Sequence, residues 1–192
     1  MSVKSHDKLI FAVISIISLF IVVATTIFFY NKYSVSPMDK IIIKESKMKI
    51  TSNAFADNNS IPKKYTCDGE NISPALSIGN IPDNTKTMVL VMDDPDSPSG
   101  NFLHWMVWNI NPNTNEITEN TVPASGIVGF NDFGELKYGG PCPKSDEHHY
   151  HFKIYAINTN LNLSGNIKRE DLEKAINGHI LDKAILIGTY KR

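Results

Sequence analysis

The stretch DDPDSPSGNFLHWMVWNI, Asp93 to Ile110, decides the fold, because it joins two candidate strands through an acidic and rigid connection. The apolar run TMVLVM (87–92) precedes it, and its own end, HWMVWNI (104–110), is a second run rich in aromatic and branched residues. Such runs, bounded by Pro, Gly, Asp and Ser, read as strands. Pro95 and Pro98 fix two backbone angles and remove two donors, so the connection between them is stiff. Asp93, Asp94 and Asp96 stand at the mouth of the first strand, where carboxylates accept from local backbone N–H groups in Asx-type turns. They serve a binding site only if a second cluster converges on them. His104 opens the second strand. The period of two puts His104, Met106, Trp108 and Ile110 on one face, where a buried, hydrogen-bonded histidine is the simplest reading.

Working outward, YHFKIYAI (150–157) and AILIGTY (184–190) are further strands between turn-forming clusters, the pattern of a mainly β domain. NIKREDLEKAING (166–178) breaks that pattern. It sets Leu172, Ala175 and Ile176 on one helical face, with acids early and a glycine at the end, and predicts one short helix in the C-terminal region. The domain is expected to run over 48–192, after a polar stalk or linker over 31–47. No internal repeat is visible.

Residues 1–8 form a short tail, and Leu9 to Tyr30 is an uncharged span without Gly or Pro. At about 1.5 Å per residue it is about 33 Å long, enough to cross a hydrocarbon core of about 30 Å. It is longer than the apolar core of a cleaved signal peptide and ends in Phe28, Phe29 and Tyr30, a poor cleavage site. The span predicts an uncleaved, single-pass transmembrane signal anchor over 9–30. Lys4 and Lys8 on one side and Lys32, Lys40 and Lys44 on the other nearly balance. The shortness of the tail favours an extracytoplasmic domain.

The chain of 192 residues carries 19 Lys and Arg against 20 Asp and Glu, a net charge of -1, which argues against a nucleic-acid partner. Cys67 and Cys142 are its two cysteines. In an oxidising compartment they could close one disulfide, worth roughly 4 kcal/mol for a loop of about 75 residues. Two unpaired thiols fit the sequence equally well.

The second cluster is YGGPCPKSDEHHYHF, Tyr138 to Phe152. Gly139 and Gly140 are expected to turn their N–H groups towards an anion, as in a nest. In the strand that follows, His148, Tyr150, Phe152 and Ile154 share the face that should be buried, whereas His149 and His151 point to the other. An imidazole and a phenol at the pocket end of a buried face are donors suited to phosphate or carboxylate oxygens.

Five blocks in order now carry a resemblance: IPKKYTCDGENISPALS (61–77), DDPDSPSGNFLHWMVWNI (93–110), NDFGELKYGGPCP (131–143), HHYHFKIYAI (148–157) and GHILDKAILIGTY (178–190). The chain from about Lys49 to Arg192 resembles the phosphatidylethanolamine-binding protein family, in its bacterial Raf-kinase-inhibitor-like branch. His149 stands where many members carry arginine, and KSDE (144–147) replaces a loop containing Pro and Gly. The resemblance implies a β-sandwich with a small anion pocket, whose wall corresponds to Asp94, Asp96, His104, Gly140, Pro141, His148 and Tyr150. It also implies ligands such as small anions and phosphorylated head groups, without metal or cofactor. Some members inhibit kinases or proteases, which makes an inhibitor role with an unidentified protein target a further implication.

Carboxylates beside an anion site need another partner. Asp94 and Asp96 are therefore expected to orient His104 and backbone N–H groups, or to meet the ammonium of a zwitterionic head group. The leading expectation is a membrane-anchored binding module without catalysis. The competing one is a metal-dependent hydrolase using the His-rich 148–151 segment, with His149 and His151 on one strand face as zinc ligands. No GxSxG elbow supports a serine nucleophile.

Overall fold

The computed structural model describes residues 47–192. The tail, the apolar span of 9–30 and all but the last residue of the 31–47 linker lie outside the described residues. Among the described residues no helix is long and apolar enough to cross a membrane.

The architecture is mainly β with one short helix. A three-stranded sheet has the order β1-β3-β6, built from β1 (Lys49–Thr51), β3 (Leu76–Gly79) and β6 (Glu116–Ile117). A six-stranded sheet has the order β2-β9-β8-β4-β5-β7, built from β2 (Asn59–Ser60), β9 (Ile180–Tyr190), β8 (His148–Ile157), β4 (Thr87–Asp94), β5 (Phe102–Ile110) and β7 (Ile127–Val128). The four apolar runs of the sequence are β4, β5, β8 and β9. They form the centre of the larger sheet, and every residue of β4 is buried. Ile50, Leu76, Ile78 and Ile117 of the smaller sheet share one core with Met88, Leu90, Met92, Trp105, Phe152, Ile154 and Leu186 of the larger. Two sheets that each bury one face against the other make a sandwich.

The larger sheet is covered on its second face as well. Val89, Val91, Met106, Trp108 and Tyr155 are buried there, as are Leu172 and Ile176 of helix α1 (Arg169–Ile176). The helix starts where the Asp171 carboxylate accepts from the Lys168 N–H at 3.3 Å and stops before Gly178, whose φ of 79° favours glycine. Asp93 fastens it to the sheet. One oxygen of this buried carboxylate accepts from Lys153 Nζ (3.0 Å), Arg169 (2.8 Å) and Asn101 Nδ2 (3.1 Å). The aspartate closest to the strand is therefore an ionic anchor for α1 and takes no part in an Asx turn.

Strand β5 departs from simple alternation twice. Met92 pairs with Trp105 but Asp93 with Leu103, so His104 is an extra residue; Leu90 pairs with Val107 but Met88 with Ile110, so Trp108 and Asn109 oppose Val89 alone. Asn109 has the positive φ (57°) of the second bulge. His104, Met106, Trp108 and Ile110 consequently do not share a face. Ile110 joins Trp105 and Val107 in the inter-sheet core, and His104 turns towards Tyr150 of β8, its ring 5.2 Å away and edge-on. A bulge at a strand end commonly re-aims a side chain in this way.

Cys67 and Cys142 form a disulfide with Cα atoms 5.4 Å apart, which resolves the two alternatives left open by the sequence.

Candidate functional site

The ends of β4, β5 and β8 meet at one side of the sandwich, and a cavity of about 300 Å³ opens there. Asp94, His104 and His148 supply its polar wall, Phe102 and Phe133 an apolar wall, and Cys142 to Ser145 with Ser97 to Ser99 its mouth. Alternation in β8 delivers His148 and Tyr150 to the same buried face as Phe152, as the sequence pattern requires. The bulge delivers His104.

Each histidine has one nitrogen committed. His148 Nδ1 lies 2.8 Å from Asp94 Oδ2, and His104 Nδ1 lies 2.7 Å from the Gly139 carbonyl oxygen. Both partners only accept, so both Nδ1 atoms carry hydrogen. Nε2 is then the free polar atom of each ring. The second oxygen of Asp94 accepts from the Asp96 backbone N–H at 2.9 Å, an Asx turn. Asp94 thus orients His148, in place of the His104 that the sequence reading assigned to it.

Tyr150 lies behind the two imidazoles, its ring 5.2 Å from His104 and 6.4 Å from His148. Its hydroxyl is buried without a hydrogen-bond partner; the Cys142 amide acts on it without reaching hydrogen-bonding geometry. Burial, followed by the Asp94 carboxylate, pushes the phenol well above its usual range, so it stays a neutral donor. Burial also lowers His104, against the opposing pull of the Gly139 carbonyl and the nearby aspartates. Its neutral form therefore dominates at neutral pH.

Besides Tyr150, three more expected wall residues lie outside the cavity lining. Asp96 turns to His149, accepting from both its backbone N–H (2.8 Å) and its Nδ1 (2.7 Å) at the exposed rim. Burial works against its ionisation, but those two bonds hold the carboxyl below the usual range. Gly140 and Pro141 sit behind the wall. The Gly140 N–H donates to Asn71 Oδ1 (2.8 Å), the Gly139 N–H to the His104 carbonyl (3.0 Å), and the Pro141 carbonyl accepts from the Cys67 N–H (3.1 Å). Neither glycine amide is free for an anion, and no nest forms. Gly140 is required by close approach, since a Cβ there would lie 2.4 Å from the Tyr65 carbonyl oxygen.

Phe102 and Phe133 had no polar signature by which the sequence would mark them as site residues, and the Cys142–Ser145 segment, though inside the second cluster, was not named as part of the wall. Phe133 stacks edge-on to Phe102 and His104, at 4.8 and 5.4 Å. It projects from a loop built on buried Asn131, whose Oδ1 accepts from the Phe133 and Glu135 N–H groups. Phe130, Phe133 and Leu136 of this loop are 40–48% exposed.

The hydrolase alternative finds no support. Among the described residues no group of three His, Cys, Asp or Glu could hold a metal ion, and His149 is committed to Asp96. Both cysteines are in the disulfide.

Residues 51–191 match the family model described as phosphatidylethanolamine-binding protein. A UPF0098 protein of Pyrococcus horikoshii is 46% identical, with 77% of this chain and 79% of that protein covered. A UPF0098 protein of Methanothermobacter thermautotrophicus is 44% identical over 76% of this chain and 99% of its own length. Among solved structures, a phosphatidylethanolamine-binding protein homologue from Chlamydia trachomatis superposes with a TM-score of 0.74 at 37% identity, covering 77% of this chain and 99% of that one. YbcL of E. coli gives 0.72 at 26% identity, with the same coverage.

Proposed function

The chain belongs to the phosphatidylethanolamine-binding protein family, and from that membership we propose that it is a non-catalytic binding module whose cavity takes a small anion or a phosphorylated head group. One observation carries the reading: two imidazoles on the same cavity wall have their Nδ1 atoms tied down, which leaves each Nε2 for a ligand oxygen. The unpartnered hydroxyl of buried Tyr150 behind them is a neutral O–H donor, whereas each Nε2 becomes a donor on protonation. Asp94 does not repel the anion strongly, because both its oxygens are engaged, by His148 and by the Asp96 N–H. Phe133 of the cavity wall and the other exposed apolar residues of its loop, Phe130 and Leu136, support a head group presented by a bilayer. The uncharged span over 9–30 supports a membrane anchor, and the disulfide supports a domain outside the cytoplasm. A kinase or protease as protein target follows from family analogy alone.

The test is calorimetric titration of phosphoethanolamine and inorganic phosphate. His148→Ala is expected to weaken both at least about tenfold, the equivalent of losing one charge-assisted hydrogen bond of about 1.5–3 kcal/mol. His151→Ala should leave both unchanged, because His151 points to the other sheet face and pairs with Ile187 of β9. Asp94→Asn should weaken both ligands alike, through misorientation of His148. Equal losses for the two histidine variants would overturn the assignment.

Acid should tighten binding. An Nε2–H for an anion requires the imidazolium form, and His104 is held neutral by burial. Binding therefore takes up a proton, and affinity rises by up to about tenfold per pH unit as pH falls towards the pKa of the free protein. The stability of the ligand-free domain is expected to show the opposite trend. A His whose folded pKa is depressed contributes its full stability above the unfolded value of about 6.5 and loses it as pH falls. Sulfate is the suitable probe, since its charge is constant over that range. A pH-independent affinity would exclude proton uptake by His104.

A further inference from the structure

We propose that the Cys67–Cys142 disulfide is a redox latch on the cavity, so that a dithiol reductant opens the ligand site while the sandwich stays folded. The proposal rests on the cavity being the binding site. Cys142, Pro143, Lys144 and Ser145 form one side of its mouth. Among the described residues no hydrogen bond or ion pair holds 143–147, and the disulfide is the bond that ties this segment down. The other cysteine sits on a fixed post. Thr66 and Gly69 close turns within the Cys67 loop, the Asn71 N–H donates to the Lys64 carbonyl, and Asp68 accepts from Tyr190 (2.9 Å) and Arg192 (2.8 Å) at the end of β9. The bond thus fastens a loose wall to a rigid loop. Both cysteines are half-buried, within reach of a small dithiol.

The chemistry balances with that reductant. One thiolate of the dithiol attacks a sulfur of the pair, forming a mixed disulfide and releasing the other cysteine as thiolate. The second thiol of the reagent then displaces the remaining cysteine and closes a cyclic disulfide. Two electrons and two protons pass from the dithiol to Cys67 and Cys142. With the bond cut, the exposed residues 144–147 are held only by buried Pro143 on one side, behind Pro141 and its bond to the Cys67 N–H, and on the other by His148, still bonded to Asp94. A ligand must now order that wall on binding, a cost the latched form does not carry.

The experiment uses the detergent-solubilised full chain, oxidised or treated with dithiothreitol, with phosphoethanolamine as probe. Reduction is expected to weaken binding about tenfold, the ordering of several loop residues. It should also speed tryptic cleavage after Lys144 and leave the β-sheet circular dichroism unchanged. Cys67→Ser/Cys142→Ser should behave like the reduced chain whatever the redox state. Unchanged affinity and unchanged cleavage with two titratable thiols present would overturn the latch. So would global unfolding on reduction, because the sheets must survive for the opening to be local. If the oxidised chain fails to bind phosphoethanolamine, the cavity assignment fails, and cleavage after Lys144 still reports whether reduction opens the wall.

Discussion

Asp93→Ala is expected to destabilise the domain by about 3–5 kcal/mol, the cost of leaving buried charges without their counter-ion. The Asp93 side chain is 2% exposed, and its Oδ2 meets Lys153 and Arg169, at 11% and 17% exposure. Removing the carboxylate strands two cations in a region that water scarcely reaches. It also takes one acceptor from Arg169, which keeps the Asn101 carbonyl at 2.8 Å and only a distant Glu173 at 3.9 Å. The loss corresponds to a fall in Tm of roughly 10–15 °C for a domain of this size. Asp93→Ala/Lys153→Met/Arg169→Met should recover most of it, because removing all the charges together leaves none uncompensated. Denaturant unfolding of both variants checks this. A single-variant loss below about 1 kcal/mol would show that water already screens the cluster. Anion affinity should change little, since Asp93 lies on the sheet face away from the cavity.

Asp93 and Asp94 are neighbours in the sequence with opposite duties, and only the strand's period of two tells them apart. Asp93 faces Lys153 and α1; Asp94 faces His148 and the cavity. The same period placed His148 and Tyr150 together on the buried face of β8. Where a long apolar run met turn residues, as in β4, β5, β8 and β9, the strands were legible. β2, β6 and β7 have two residues each and leave no such trace. Bulges were also illegible, because an extra residue in β5 is defined by its pairing with β4 and carries no mark of its own. That is why His104 was placed on the wrong face, although it does line the cavity. The glycine pair failed for a related reason. The partners of its amides are His104 and Asn71, and the latter is 69 residues away from Gly140. A loop of glycines shows that the backbone can come close to something. It does not show whether that something is a ligand or another part of the chain.

The disulfide is the second place where a large effect is expected. Cys67→Ser/Cys142→Ser should lower the unfolding free energy by about 4 kcal/mol in the chain-entropy model. The cysteines are 75 residues apart, so the unfolded chain regains the freedom of a loop that spans β3 to β7 and most of the site. Loop-closure entropy rises only with the logarithm of length, which makes the figure insensitive to where the unfolded ensemble places its ends. Two features limit compensation by the folded state. The Cys67 N–H still donates to Pro141, and the Gly140 N–H to Asn71, so the ends of the loop remain held together natively. The native wall beyond Pro141 gains freedom too, and that gain offsets part of the loss. Denaturant midpoints for the oxidised chain, the reduced chain and the double variant separate these contributions. Reduced chain and double variant should coincide, with an m-value larger than that of the oxidised chain as the unfolded state expands. A loss below about 1 kcal/mol would mean that the freed wall recovers nearly as much entropy as the unfolded chain does, and the disulfide would then serve the cavity more than the fold.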